Sequence, residues 1–496
     1  MRTICLYFEI HQIIHLKRYR FFDIGNDHYY YDDYANETGM NEVAERSYLP
    51  ALSTLIEMAK SSGGAFKVAL SISGVALEQL EIHAPAVIDL LHQLNDTGCC
   101  EFLCEPYSHG LSSLANEDCF REEVLRQRDK MKQMFGKEPK VFRNSSLIYS
   151  DEIGGLVASM GFKGMLTEGA KHVLGWKSPH YVYHCNQAPS LKLLLRDFKL
   201  SDDISLRFSN SDWAEYPLFA DKYINWIDVL PQEEQVINIF MELSALGMAQ
   251  PLSSNILEFL KALPECARAK GITFSTPTEI VTKLKSVSQL DVPYPMSWVD
   301  EERDTSSWLG NVLQREAFNK LYSVAERVHL SDDRRIKQDW DYLHDPELKM
   351  YDDRTAGYME AMEEYDAEPA VLTARMDFES QKEFVRQNIE YIRKFTGIFS
   401  QQDLPALSIV QQLKKYYGMN VPEDISIVGY NDIELIHYLD IPLDTIADPR
   451  EEVITNAVNS LVCRIEGRED LSPRKIYPRL ITRGSVRDAA QAGPVK

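Results

Sequence analysis

No stretch of the 496 residues approaches the roughly 18 consecutive apolar residues of a membrane-spanning helix. The opening segment MRTICLYFEIHQIIHLKRYRFF has no apolar core flanked by small residues, and Glu9 and His11 interrupt its apolar run, so it does not read as a signal peptide. Basic residues are few beside acidic ones: 53 Lys and Arg against 75 Asp and Glu give a formal net charge of -22. No basic patch stands out, and neither nucleic acid nor a membrane is expected as a partner. The cysteines Cys5, Cys99, Cys100, Cys104, Cys119, Cys185, Cys266 and Cys463 are irregularly spaced. That pattern reads as free thiols in a reducing compartment, the cytoplasm, rather than a disulfide frame. Cys100 and Cys104 lack the second Cys or His pair of a zinc site. His180 and His184, in HYVYH, share a strand face but have no third ligand, and read as hydrogen-bonded structural histidines. There is no GxxxxGK phosphate loop and no GxSxG elbow, so neither nucleotide nor serine-hydrolase chemistry is supported. No metal and no cofactor is expected.

What is present is an alternation. The strand-like runs TICLYFEI, FKVALSIS, CEFLCE, VFRNS and GMLTE are separated by amphipathic segments such as Ala84 to Asn95 and Glu117 to Phe135. A further buried-type run, VINIFMEL, and a helix over Asn255 to Lys270 lead into ITFSTPTEIV, where Pro277 suits the first turn of a helix. Strands alternating with helices at this spacing predict a parallel sheet or barrel. Polar residues recur at the strand ends: His11 and Gln12, Glu105 and His109, Arg143 and Asn144, Glu168, and Glu242. In a parallel barrel the C-terminal strand ends form the mouth where active sites assemble. A carboxylate that caps the next helix is the plain alternative for any one of them.

From Thr305 to about Asp345 the pattern is helical, with WLGNVLQREAFNKLYSVAERV apolar at three and four spacing. Near Met350 the character changes. From Asp352 onward helix and strand alternate quickly, ending in paired short strands around Ile476 to Val486, which predicts a separate α/β unit.

Two carboxylates facing each other across a cleft are the minimum equipment for glycoside hydrolysis, about 5–5.5 Å apart in a retaining mechanism. Glu168 and Glu242 are the candidates, from different strand ends. Trp176, Tyr107, Trp213 and Trp226 are either aromatic platforms for sugar rings or core residues. His11 and His109 either bond sugar hydroxyls and tune the nucleophile or are satisfied core histidines.

The stretches YFEIHQ (His11, Gln12), CEFLCEPYSHGL (His109), VFRNSSLIY, GFKGMLTEGAKHVLGW (Glu168, Trp176), NIFMELSALGMAQ (Glu242) and SSWLGNVLQREAFNKLY (Trp308) occur in an order that resembles glycoside hydrolase family 57, in its α-amylase-like bacterial intracellular form. The resemblance covers roughly residues 1–350. It implies an incomplete (β/α)7 barrel over 1–285 and a truncated helical region packing on it over 286–350. It further implies retaining hydrolysis or transfer on an α-1,4-glucan or maltooligosaccharide, Glu168 as nucleophile and Glu242 as acid/base. His11, Gln12, His109, Trp176 and Trp308 are the implied substrate-binding residues. One departure bears on activity. Where the family shows a stretch like FMDYETFGEHQ, this chain reads FMELSALGMAQ, with Glu for Asp and with Ser244, Met248 and Ala249 in place of polar neighbours. The longer side chain moves the carboxyl by one C–C bond, and a 1 Å misplacement costs about a hundredfold. Weak activity, or glucan binding alone, is the expected alternative.

The rest resembles the C-terminal half of a LacI-type sugar-responsive regulator. RTAGYMEAMEE, FTGIFSQQDLPALSIVQQL, VPEDISIVGYNDIELIHYLDIPLDTI and IYPRLITRGSV follow that family's order. The resemblance implies a half periplasmic-binding-protein-like α/β lobe over 351–496, a remnant of a sugar sensor without a DNA-reading segment. Asp403 and Asp432 fall on effector-binding positions, with turn or cap roles as the alternative.

Overall fold

Thr3–Ile10 form β1, and all eight residues are buried, as in a strand covered on both faces. The computed structural model that shows this describes residues 2–17, 29–299, 303–309, 312–344, 378–433, 435, 436, 442–447, 449 and 478–487. The expected boundary at 350/351, the stretch RTAGYMEAMEE and Cys463 lie outside the described residues. The chain divides into two compact units, one over most of residues 1–348 and the other over most of 349–496.

In the first unit β1 is joined by β2 (Val68–Ile72), β3 (Cys100–Phe102), β4 (Val141–Arg143), β5 (Gly164–Glu168), β6 (Val182–Cys185), β7 (Lys192–Arg196), β8 (Val236–Glu242), β9 (Thr273–Phe274) and β10 (Gln289–Leu290) in one ten-stranded sheet. Seven parallel strands run side by side as β3-β2-β1-β8-β7-β5-β4, and the two-residue β9 also pairs parallel with β1. A single parallel bridge, Cys104 to Phe142, joins β3 to β4, so the seven parallel strands form a ring. The antiparallel β6 lies outside the ring on the edge of β7 and carries β10.

Residues in parallel register share a face. Register pairs Leu166 with Leu194, Arg196 with Asn238, Tyr7 with Phe240 and Tyr7 with Ala69. Of these, Tyr7, Ala69, Leu166, Leu194 and Phe240 join Cys5, Leu103, Val141 and Val236 in one buried apolar cluster. The same alternation carries Glu9, Ser71, Arg143, Glu168, Arg196 and Glu242 to the inner face at or near the C-terminal strand ends. A packed apolar plug below a polar mouth is the arrangement expected of a parallel barrel.

The covering helices follow local rules. Helix Glu117–Phe135 starts at Asn116, whose side chain accepts from the Cys119 N–H, and stops at Gly136 with φ 74°. Its buried residues Phe120, Val124, Gln127, Met131 and Phe135 lie three and four apart. Pro277 does open a helix, Pro277–Lys283, behind a Thr276/Glu279 capping box. The expected helical stretch after Thr305 is present as Ser306–Leu309, Val312–Tyr322, Ala325–His329 and Arg334–Leu343. Among the described residues no helix is long and apolar enough to cross a membrane, and the seven described cysteines are free.

The second unit holds β11 (Gly397–Phe399), β12 (Ser426–Tyr430), β13 (Asp444–Ala447) and β14 (Arg479–Ile481), in that order across a sheet. The first three are parallel and β14 is antiparallel to β13. Helices Phe378–Ile392 and Asp403–Tyr417 pack Val385, Ile392, Ala406 and Leu413 against Ile425 and Ile427. The short strands expected to pair around Ile476 to Val486 are instead one described strand, whose partner is the distant β13.

Candidate active site

Glu168 ends β5 and is fully buried. Its Oε1 accepts the N–H of Gly169 at 2.8 Å, and its Oε2 accepts from Nη1 of Arg196 at 3.1 Å. Arg196 is its register partner on β7. The Arg196 guanidinium also donates to Asp202 Oδ1 at 2.5 Å and, through Nε, to the Phe240 carbonyl at 3.3 Å. Arg303 approaches the same two carboxylates, 4.0 Å from Glu168 and 3.8 Å from Asp202. Burial pushes the Glu168 carboxyl up; Arg196, Arg303 and the Gly169 N–H pull it back without cancelling the rise.

Glu242 ends β8, separated from β5 by β7 alone. Register places Glu168, Arg196 and Asn238 on one face, and Glu242 lies four residues past Asn238 on that same face. The Ser244 hydroxyl donates to Glu242 Oε2 at 3.0 Å. The loop behind it is packed tightly. Ser47, in the π-helical turn Ala44–Tyr48, donates from its hydroxyl to the Leu243 carbonyl at 2.8 Å. At Gly247 (φ 123°) a Cβ would stand 1.9 Å from the Arg46 carbonyl oxygen, so only glycine fits. Single π turns are frequent at functional sites; this one also donates the Tyr48 hydroxyl to the His11 carbonyl at 3.3 Å.

His11 and His109 stack with ring centroids 4.1 Å apart, and His11 Nδ1 lies 2.8 Å from the Ser73 hydroxyl. His109 Nδ1 lies 3.2 Å from Glu9 and 3.5 Å from Glu105. Arg143, fully buried, grips both oxygens of Glu9 and reaches Glu105 Oε2 at 3.2 Å. Glu9, Glu105 and His109 are the one group among the described residues close enough to hold a metal ion, their donor atoms lying within 4.8 Å. The Arg143 guanidinium already serves as their counter-cation. Burial alone would raise the Glu105 carboxyl, but the His109 hydrogen bond and Arg143 outweigh it and hold it below the usual range.

The aromatic candidates separate. Trp176 is 93% exposed, just past the short helix Lys171–Leu174 that follows β5. Trp308 is half-buried against the apolar cluster of Tyr149 and Met296, and Trp213 and Trp226 meet edge to face and pack against the core. Tyr107 is buried, its hydroxyl donating to Glu78 and its ring under Arg126 at 3.5 Å. Gln12 is partly buried and accepts at its carbonyl from Gln79 at 2.6 Å.

His180 is a structural histidine of an unusual kind: its Nδ1 lies 2.6 Å from Glu234 and its Nε2 2.7 Å from Asp197. Burial lowers its basicity, yet the two carboxylates prevail and raise its pKa. A raised folded pKa contributes stability that is complete below the unfolded value of about 6.5 and is lost as pH climbs through the folded value. Thermal melts across that window should show the native chain losing more stability with rising pH than His180→Gln; equal slopes would contradict this. His184 is bonded to the Ser286 hydroxyl at 3.0 Å.

In the second unit Asp403 is fully buried, accepting from the Thr445 hydroxyl at 2.5 Å and from the Ile433 N–H at 3.0 Å. Asp432 accepts from Arg483 at 2.6 Å. Both carboxylates bind the lobe's own loops together.

Sequence reasoning singled out Glu168, Glu242, His11 and His109 but not Arg196, Asp202 or Arg303. The apolar run KLLLR ends in Arg196 at a strand end, a signal of the same kind as GMLTE. Arg303 lies in an irregular loop that carries no such signal.

The family model "Glycosyl hydrolase family 57" matches residues 5–293, and the model "Periplasmic binding protein-like domain" matches residues 342–486. A provisionally named α-amylase of Methanocaldococcus jannaschii is 39% identical over 328 residues, 65% of this chain and 68% of that protein. The HTH-type transcriptional repressor CytR of Escherichia coli K12 is 34% identical over 139 residues, 27% of this chain; the chain spans 40% of that repressor's length. Two solved GH57 branching enzymes share the fold. That of Pyrococcus horikoshii superposes with a TM-score of 0.55 at 12% identity, covering 79% of this chain and 91% of its own. That of Thermococcus kodakaraensis gives 0.53 at 12% identity, covering 79% and 94%. By the extent of the family match and by its archaeal relative, the chain belongs to glycoside hydrolase family 57.

Proposed function

We propose that this glycoside hydrolase acts on α-1,4-glucans or maltooligosaccharides by retaining double displacement, with Glu168 as nucleophile and Glu242 as acid/base. The observation that carries the reading is the placement of both carboxylates on one inner face of the barrel, at the ends of strands separated by β7. Arg196, Arg303 and the Gly169 N–H favour the ionised Glu168 that attack requires. Glu168 attacks the anomeric carbon while Glu242 gives its proton to the departing glycosidic oxygen, leaving a glycosyl ester on Glu168. Glu242, now ionised, takes a proton from water in hydrolysis, or from a glucan hydroxyl in transfer, as that oxygen displaces Glu168. His11, Gln12 and His109 are placed in this reading to bond sugar hydroxyls, and the exposed Trp176 to offer a platform for a longer chain. The α-amylase name of the archaeal relative supports the substrate class. In this reading residues 1–285 form the barrel, 286–350 a helical layer on it and 351–496 a sugar-sensor-derived lobe, in a chain whose free thiols suit the cytoplasm.

Glu242→Ala tests the reading. Turnover of maltooligosaccharides should fall by about 10²–10⁴, the range of general acid/base catalysis; with an aryl maltooligosaccharide whose phenolate leaves without a proton, azide should raise turnover and give an α-glycosyl azide. Unchanged turnover in the variant would remove Glu242 from the mechanism.

A further inference from the structure

We propose that Glu9 is a positioning residue for Glu242: clamped by Arg143, it holds a negative charge beside Glu242 and leaves the proton of the pair on the carboxyl that must donate it. The inference rests on the assignment of Glu242 as acid/base. Glu9 and Glu242 are register partners on adjacent parallel strands, so their side chains leave the same face of strands about 4.8 Å apart. Glu9 is buried, and both its oxygens accept from Arg143, Oε2 at 2.5 Å, while His109 Nδ1 stands 3.2 Å from Oε1. A bidentate guanidinium favours the ionised form of the carboxylate it grips. Carboxylates on paired register positions feel each other's charge, and ionising one makes it harder to ionise the other.

The groups facing Glu9 are Arg143 from β4, Glu105 and His109 from the segment after β3, and Glu242 from β8, with Ser71 its register partner on β2. Burial is the largest influence on the Glu9 carboxyl, which stands raised to about 7 even though Arg143 and His109 pull it down; Glu105 and Glu242 push it up as well. Above that pH Glu9 is ionised and opposes a second charge on Glu242, so the general acid keeps its proton on the alkaline side.

Glu9→Gln removes the negative neighbour and leaves the Arg143 charge in place. Both changes make Glu242 give up its proton at lower pH. The alkaline limb of the kcat/KM profile for maltooligosaccharides should move down by on the order of one pH unit, while Glu9→Asp, which keeps the charge, should move it less. A merely structural role for Glu9 would lower activity at every pH and leave the limb in place. A second readout is independent of turnover: ¹³C NMR titration of the full chain labelled at glutamate δ-carboxyls, with the Glu242 signal assigned by its loss in Glu242→Gln. Its midpoint should fall in Glu9→Gln, or in Glu9→Ser if the glutamine variant does not fold. An unmoved midpoint overturns the proposal. A moved midpoint with full turnover in Glu242→Gln leaves the coupling standing and removes the acid/base assignment.

Discussion

Glu168→Ala is expected to lower kcat on maltooligosaccharides by on the order of 10⁴–10⁶, the scale on which an enzyme loses its nucleophile. The carboxylate is fully buried beneath two arginines and accepts from the Gly169 N–H and from Arg196. Removing it leaves Arg196 paired with Asp202, so the cation is not orphaned and the fold should survive. The product of rescue separates the roles of the two carboxylates. Azide in the Glu168→Ala cavity attacks from the face the nucleophile occupied and gives a β-glycosyl azide, whereas azide in Glu242→Ala intercepts the glycosyl ester from the other face. An α-glycosyl azide from Glu168→Ala would reverse the two assignments.

Arg196→Met should produce the second large loss. Its guanidinium is fully buried and serves Glu168, Asp202 and the Phe240 carbonyl at once. Removing one partner of a buried ion pair costs about 3–5 kcal/mol, which in a transition state is roughly a hundredfold to several thousandfold. The sign of the pH effect is fixed. Burial already raises the Glu168 carboxyl, and without Arg196 it rises further. The nucleophile is then ionised only at higher pH, so the acid limb of kcat/KM should move upward. A loss of activity with an unmoved acid limb would make Arg196 a packing residue.

Strand ends were the legible part of this site. Apolar runs stopping at Glu168 and at Glu242 mark where two strands leave the core, and that sufficed to put two carboxylates at the barrel mouth. The same reasoning passed over Lys192–Arg196, because a run of three leucines between charged residues is too short to stand out, and with it went the cation that governs the nucleophile. Glu9 was visible only as an interruption in an apolar strand. Its meaning comes from register with Glu242, some 230 residues on, which only the closed sheet supplies. In the second unit the parallel strands follow the sequence pattern, but β14 finds its partner in Asp444–Ala447 across a long separation that local pattern does not encode.

Gly247 sets the terms on which this barrel can be re-engineered. The Arg46 carbonyl fills the space where a side chain at that position would begin, so the chain behind Glu242 is threaded through a fixed aperture. Grafting the acidic and histidine residues of family members onto Ser244, Met248 and Ala249 is therefore an exchange of side chains on a retained backbone. Any side chain at position 247 would have to displace the Ala44–Tyr48 turn, and with it the Tyr48 contact to the backbone of His11.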